Sequence, residues 1–131
     1  MPFTALFIAH APDADPAAHR SLVDTGLYRL FSVVVRDTDQ AVAVSRELID
    51  KEGVQSILLC PGNTHDDVAR VAAAVGDDIS VSVARGDVRS MRVAAALGDG
   101  ISVSVARGDA RSMRVAAKAM QEAGWFSQAP A

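Results

Sequence analysis

Residues 54–84 read VQSILLCPGNTHDDVARVAAAVGDDISVSVA, and this stretch decides the fold class. An apolar run, Val54–Cys60, is rich in strand formers and ends at a Pro-Gly turn signal. Asn63 or Thr64 then caps a helix whose apolar residues recur at helical spacing, and a second apolar run, Ile79–Ala84, follows. A strand, a helix and a strand in this order form a βαβ unit, which predicts a parallel sheet.

The same alternation of strands and helices extends along the rest of the chain. Apolar runs predict strands, and capping residues followed by helical periodicity predict helices. The further predicted strands are Phe3–His10, Leu27–Val35 and Ile101–Ala106. The further predicted helices run from Asp15 to about Asp24, from Asp37 to Gly53, from Asp87 to about Leu97 and from Asp109 to about Ala123. The residues expected to face inward from the last helix are Met113, Ala116, Ala117 and Met120. Together these elements predict one α/β domain over residues 1–131, with a mostly parallel, flavodoxin-like open sheet of about five strands in the order 2-1-3-4-5.

Two adjacent segments of the chain are nearly identical. Arg70–Met91 reads RVAAAVGDDISVSVARGDVRSM and Arg92–Met113 reads RVAAALGDGISVSVARGDARSM, so 19 of 22 positions match. Because residues typical of exposed positions match as well as apolar ones, the pair indicates a tandem duplication within a shorter parent domain. Each copy is expected to supply one strand and one helix, so that the copies extend the sheet side by side. In the alternative, the fold uses one copy, and the other is extruded as a loop or exchanged with a second chain.

Composition and charge exclude several classes of protein. The net charge is −3 and 5% of the residues are aromatic, so the chain lacks the basic face and stacking rings of a nucleic-acid binder. No apolar run approaches the roughly 20 residues of a membrane-spanning helix, and no basic region precedes the short apolar run at the start, as a secretory signal would require. One cysteine, Cys60, excludes an internal disulfide framework and favours a cytoplasmic location.

Polar side chains follow the predicted strands, at the edge where open parallel sheets bind their ligands. Cys60 and His65 follow one strand and are candidates for a nucleophile and its base, with His10 contributed by the neighbouring strand. The other interpretation is that the cysteine is a small buried hydrophobe and that His65 is an exposed first-turn residue. No ligand spacing of the CxxC or HxxxH type is present, so we predict no metal site, and no phosphate or dinucleotide motif indicates a cofactor.

The PGNTH turn leads into a helix N-terminus, where backbone N–H groups and the helix dipole attract anions. The candidate ligand residues are Asn63, Thr64 and His65 in this turn, together with Arg85 and its duplicate Arg107. We therefore expect a small molecule or an anion to bind at the carboxyl ends of the strands. Two alternatives stay open: an assembly protein that forms a homodimer through an edge strand or a helix face, and an enzyme that depends on the cysteine. A homo-oligomer is expected because a free edge strand invites pairing.

Four segments carry a resemblance to a known family: Ala11–Arg20 (APDADPAAHR), Glu52–Val54, Leu59–Gly62 and Val81–Arg85. They resemble a family of short bacterial α/β proteins that is catalogued as a domain of unknown function. The resemblance covers the chain less one repeat copy, which is 131 − 22 = 109 residues. It implies a small α/β domain and no particular activity, and the duplication departs from the family's pattern.

Overall fold

A computed structural model describes residues 1–85, 96–98 and 100–127 of the chain. Its strands are β1 (Phe3–His10), β2 (Arg20–Asp24), β3 (Tyr28–Val35), β4 (Ser56–Leu59), β5 (Ser80–Arg85) and β6 (Val105–Gly108). Its helices are α1 (Thr38–Glu52), α2 (His65–Val75) and α3 (Ala110–Glu122), and a 3-10 turn, Trp125–Ser127, follows the last of them.

The six strands form one sheet in the order β2-β3-β1-β4-β5-β6. The four inner strands run parallel, whereas β2 is antiparallel to β3 and β6 is antiparallel to β5. The α/β class is therefore confirmed. The prediction of a mostly parallel sheet in the order 2-1-3-4-5 is wrong, because both edge strands run antiparallel and β2 forms where the sequence predicts a helix.

The segment after β1 contains one capped turn instead of the helix predicted from Asp15 to about Asp24. The Asp15 carboxylate accepts a hydrogen bond from the Ala17 backbone N–H at 3.0 Å, and its carbonyl accepts one from the His19 N–H at 2.7 Å. The chain then enters β2, whose residues pair with β3. The helix prediction is wrong because the start signal at Asp15-Pro16 forms only a single turn. The backbone groups of Arg20–Asp24 instead form hydrogen bonds with β3.

The two copies of the repeat adopt different conformations. In the first copy, Ser80–Arg85 forms β5, which pairs in parallel with β4. In the second copy the equivalent residues are 102–107: residues 102–104 lie outside any strand, and residues 105–107 belong to β6, which pairs antiparallel with β5. The prediction of a further parallel strand over Ile101–Ala106, and with it two equivalent units, is wrong. The helix predicted from Asp87 to about Leu97 lies mostly outside the described residues.

The first copy supplies the inner strand β5, and the second copy supplies the edge strand β6 and the start of α3. The Asp109 side chain caps α3 by accepting a hydrogen bond from the Ser112 N–H at 2.7 Å. Asp87 is the equivalent of this cap in the first copy. Because both copies carry the same local signals, the surrounding contacts, and not the signals, determine which copy supplies which element.

Each face of the sheet packs against different helices. The main core lies between the sheet and the pair α1 and α2, and its largest fully buried side chains include Leu6, Ile8, Ile57 and Leu59. Because side chains alternate along a strand, neighbouring residues of β1 point to the opposite face. There Phe3 and Ala5 pack against Ala119 of α3. Among the described helices, α1 and α2 therefore pack on one face of the sheet and α3 on the other.

The buried stripe of α3 differs in part from the predicted one. Ala116 is buried and Met120 packs against the cluster, as predicted, but Met113 is 57% exposed and Ala117 is also exposed. Ser112 and Ala119 occupy the buried positions instead. The small residues Ser112, Ala116 and Ala119 form the buried stripe, which lets α3 lie close to the sheet. Within the described part of the chain, no helix is both long and apolar enough to cross a membrane.

Candidate functional site

The ends of two neighbouring strands bring His10 and Cys60 together. β1 and β4 pair in parallel, with Ile8 opposite Leu59, so their carboxyl ends lie at the same edge of the sheet. The Cys60 N–H donates to the Ile8 carbonyl at 3.0 Å, which continues this pairing by one residue. The Nδ1 of His10 lies 3.5 Å from the Sγ of Cys60, and both residues are half-buried. The cysteine thus has a ring nitrogen within hydrogen-bonding range and remains reachable from solvent.

Asn63 lies next to Cys60 and stabilises the turn that follows β4. Its side-chain Nδ2 donates to the Cys60 carbonyl at 3.0 Å and lies 3.6 Å from the Cys60 Sγ. The residue is only 2% exposed. Its Oδ1 is buried and has no hydrogen-bond partner among the described residues. A buried acceptor without a partner costs about 1–3 kcal/mol, so a hydrogen-bond donor that reaches this oxygen would stabilise the site.

The first turn of α2 is closed by a reciprocal pair of hydrogen bonds. The Thr64 Oγ1 accepts from the Asp67 N–H at 3.1 Å, and the Asp67 carboxylate accepts from the Thr64 N–H at 2.9 Å. The same carboxylate accepts from the Thr38 hydroxyl at 2.9 Å, which joins the start of α2 to the start of α1. Two of the backbone N–H groups that the sequence offers to an anion are therefore already used.

Hydrogen bonds hold the pKa of Asp67 below its usual value of 3.8. The largest contribution comes from the Thr64 backbone N–H, followed by the hydroxyls of Thr38 and Thr64, all of which favour the ionised carboxylate. Asp66 lies beside it in the same turn. Two acidic side chains at the start of α2 oppose the binding of an anion there.

The Arg85 guanidinium supports the turn from the end of β5. Its Nη1 donates to the Pro61 carbonyl at 2.9 Å, and its Nη2 donates to the Asn63 carbonyl. Both contacts are made to backbone carbonyls that follow β4. Arg85 therefore acts in this structure as a positioning residue, which fixes the turn carrying Asn63.

The remaining predicted site residues lie further from this cluster. His65 is exposed as the first residue of α2, and Thr64 is exposed as its cap. Arg107 lies in β6 opposite Val83, on an antiparallel edge strand, so it does not occupy a position equivalent to that of Arg85. Among the residues that the structure describes, no group of three or more His, Cys, Asp or Glu side chains could hold a metal ion.

Sequence reasoning missed two members of the cluster, Thr38 and Asp67. The Thr-x-x-Asp spacing from Thr64 to Asp67 resembles a capping box and was the available signal. The contact between Thr38 and Asp67 has no local signal, because the two residues are joined only by the packing of α1 against α2.

Three comparisons with known proteins bear on this chain. The comparison with curated proteins and the comparison with solved structures each gave no match. A family model described as a family of unknown function, DUF6506, matches residues 3–92, which include the first repeat copy and one residue of the second. This stretch contains His10, Cys60, Asn63 and Arg85, so the whole cluster lies within the matched region. The chain belongs to this family of unknown function, DUF6506.

Proposed function

We propose that the protein binds a small polar molecule at the carboxyl ends of β1 and β4, where His10 and Cys60 contact the ligand. The observation that carries this proposal is the 3.5 Å approach of the His10 Nδ1 to the Cys60 Sγ at the ends of two central strands. The rim of an open α/β sheet is the common place for such a site. The unpartnered Oδ1 of Asn63 adds an acceptor next to the pair.

The charges around the site favour a neutral ligand over an anion. Asp66 and Asp67 lie in the first turn of α2, and the mutual cap of Thr64 and Asp67 uses backbone donors. The guanidinium that contacts this turn, that of Arg85, donates to backbone carbonyls. A ligand that both donates and accepts hydrogen bonds, such as an amide, matches the thiol, the imidazole and the free carbonyl oxygen.

Nuclear magnetic resonance titration tests this proposal with acetamide as the neutral probe and inorganic phosphate as the anionic one. We expect acetamide to shift the backbone signals of His10 and of residues 60–64 in a saturable way, and phosphate to leave them unchanged. His10→Ala should weaken the acetamide response. His19→Ala is the matched control, because the exposed side chain of this histidine bonds to the Asp15 N–H in its own turn, and it should leave the response intact. A saturable response to phosphate without one to acetamide, or no response to either, would overturn the proposal.

A Cys60-dependent enzyme is the second candidate, and the same contact favours it. In such an enzyme the His10 Nδ1 takes the thiol proton and the Sγ attacks an electrophilic carbon, so that a C–S bond forms as the leaving group departs with its electron pair. Asn63 Nδ2 lies 3.6 Å from the Sγ, where a donor can stabilise the thiolate.

The rate of alkylation by iodoacetamide at neutral pH separates this candidate from a plain binding site. Cys60 is the only cysteine of the chain, so the reaction reports on it alone. An activated thiol should react faster than N-acetylcysteine, and His10→Ala should slow it several-fold, while His19→Ala should not. A rate at or below that of N-acetylcysteine that does not respond to His10→Ala would exclude the enzyme.

A further inference from the structure

We propose that a second site, between α3 and the sheet, binds a small amphipathic molecule made of one aromatic ring and one hydrogen-bonding group. This cavity has a volume of about 350 Å³. It is lined by the face of the sheet opposite α1 and α2, and it shares no residue with the cluster around Cys60. Its size lies in the range of ordinary small-molecule sites.

Three buried serines form the polar side of the cavity. Ser56, Ser80 and Ser82 lie on β4 and β5 and are 4%, 3% and 6% exposed, respectively. Ser56 is paired directly with Ser80, so their hydroxyls lie side by side. All three serines line the cavity, so their hydroxyls are placed to bond to a molecule bound there.

These serines occupy positions where packing alone would favour apolar side chains. The neighbouring residues of β5, Val81 and Val83, face the main core, and the sequence alternates Ser and Val along the strand. A sheet face covered by a helix usually carries apolar residues, because buried hydroxyls without partners are unfavourable. Hydroxyls that line a cavity can accept hydrogen bonds from a bound molecule or donate hydrogen bonds to it.

An aromatic cluster forms the apolar end of the same cavity. Phe3, Tyr28 and Trp125 make three mutual ring contacts, with centroids 5.6, 5.4 and 5.1 Å apart. The Trp125 Nε1 donates to the Leu27 carbonyl at 2.9 Å, which holds the indole in place. Partial burial raises the pKa of the Tyr28 phenol. A preformed aromatic wall of this kind suits the edge or face of a single ring.

Helix α3 leaves the space open because it presents small side chains to the sheet. Ala116 lines the cavity and is buried, whereas Met113 and Met120 line its margin. Flexible thioether side chains adapt to the outline of a ligand more readily than branched ones. The row of hydroxyls in a cavity of this size points to a small molecule as the occupant, because a protein partner would require a broad exposed apolar surface.

The test uses a pair of probes that differ only in the hydrogen-bonding group. Benzyl alcohol and ethylbenzene have the same shape, but only the alcohol can bond to the serines. Trp125 is the only tryptophan of the chain, so its fluorescence reports directly on the cavity. We expect both probes to change this fluorescence in a saturable way, with benzyl alcohol binding more tightly.

Three variants make the test specific. Ser82→Ala removes one hydroxyl and should weaken benzyl alcohol about fivefold while leaving ethylbenzene unchanged. Ala116→Leu fills the cavity and should abolish the response to both probes. Ala117→Leu places the same side chain on the exposed face of the same helix, so it should preserve both responses.

Several outcomes would overturn the proposal. They are the absence of a saturable response, equal affinity for the two probes, and probe binding that survives Ala116→Leu in a folded protein. A cavity that is closed to both probes by a second copy of the chain, detected as a dimer by sedimentation, would also refute it. Ser82→Ala keeps the test decisive if Ala116→Leu does not fold.

Discussion

At the scale of single residues, Asp67 joins the start of α2 to the start of α1. Its carboxylate bonds to both Thr64 and Thr38, so it caps α2 and ties it to the first residue of α1. This tie holds the turn between β4 and α2, which carries Asn63. Its contribution to stability depends on the ionised form, because only that form accepts all of these hydrogen bonds.

Asp67→Asn should lower the melting temperature near pH 7, and the difference from the wild type should shrink at low pH. Because the folded pKa lies below the ordinary value of 3.8, the stabilisation is fully present above that value. It is lost as the pH falls through the lower folded pKa. Thermal unfolding followed by circular dichroism at pH 7, 5 and below 3.8 measures the difference.

Asp66→Asn is the control for this prediction. Asp66 lies in the same turn but makes no side-chain hydrogen bond to the described residues. Its replacement should have the smaller effect at pH 7. A difference between Asp67→Asn and wild type that stayed constant down to the lowest pH would show that the carboxylate charge is not what stabilises the turn.

At the scale of elements, the ends of α1 follow from local sequence signals, whereas the short strand β2 does not. The Asp37 side chain accepts from the Gln40 N–H at 2.9 Å, and Gly53 ends the helix with a φ of 70°, so α1 begins and ends as predicted. Both signals act within a few residues of the helix. β2 has only five residues, and its strand state depends on β3, which lies further along the chain.

Asp37→Ala should destabilise the protein by about 1 kcal/mol, because it removes the N-cap of the longest helix described. Urea unfolding followed by circular dichroism measures this free energy. Asp39→Ala is the control: its carboxylate forms an exposed ion pair with Arg70, and such pairs contribute about 0–1 kcal/mol. A loss for Asp37→Ala that is no larger than that for Asp39→Ala would contradict the capping role.

At the scale of the whole molecule, we predict that the fold needs only one copy of the 22-residue repeat. The segment 86–107 has the same length as the repeat, and its removal would join Arg85 to Gly108 and Asp109. That junction recreates the Arg-Gly-Asp order found at residues 85–87. β5 and α3 would then follow each other directly, as a strand and a helix do in a simple α/β unit.

Deletion of residues 86–107 should yield a folded protein with cooperative thermal unfolding and a melting temperature close to that of the full chain. Of the described residues that the deletion removes, Val105, Ala106 and Arg107 are exposed, and a shorter connection costs less entropy to close. Calorimetry, together with the dispersion of nuclear magnetic resonance signals, measures the outcome. Loss of cooperative unfolding would show that the fold requires β6, the edge strand that the second copy supplies.

The edges of the sheet bear on the expected homo-oligomer, which stays a prediction. β2 and β6 are the edge strands, and β2 exposes Leu22 and Val23. The deletion described above also removes β6 and uncovers β5, so it should increase self-association. Sedimentation velocity of the two proteins measures this difference, and an unchanged monomer would argue against edge pairing.

The candidate site was predictable only in part. The approach of His10 and Cys60 follows from the rule that parallel strands end at one edge, so the sequence indicated both residues. The burial of Asn63 and the use of Arg85 as a support for backbone carbonyls did not follow, because each depends on how the turn after β4 folds back. The serine row on β5 was visible as an alternation of Ser and Val, but only α3 turns it into the wall of a cavity.

The sequence by itself determined the α/β class, the ends of α1 and α2 and the cap of α3, because these depend on hydrogen bonds and torsion preferences within a few residues. The tertiary structure alone decided that Arg20–Asp24 is a strand and that the two copies of the repeat differ. Identical residues have identical local preferences. Only one of the copies can occupy the place beside β4, and only the other leads directly into α3, so their neighbours in space determine their structure.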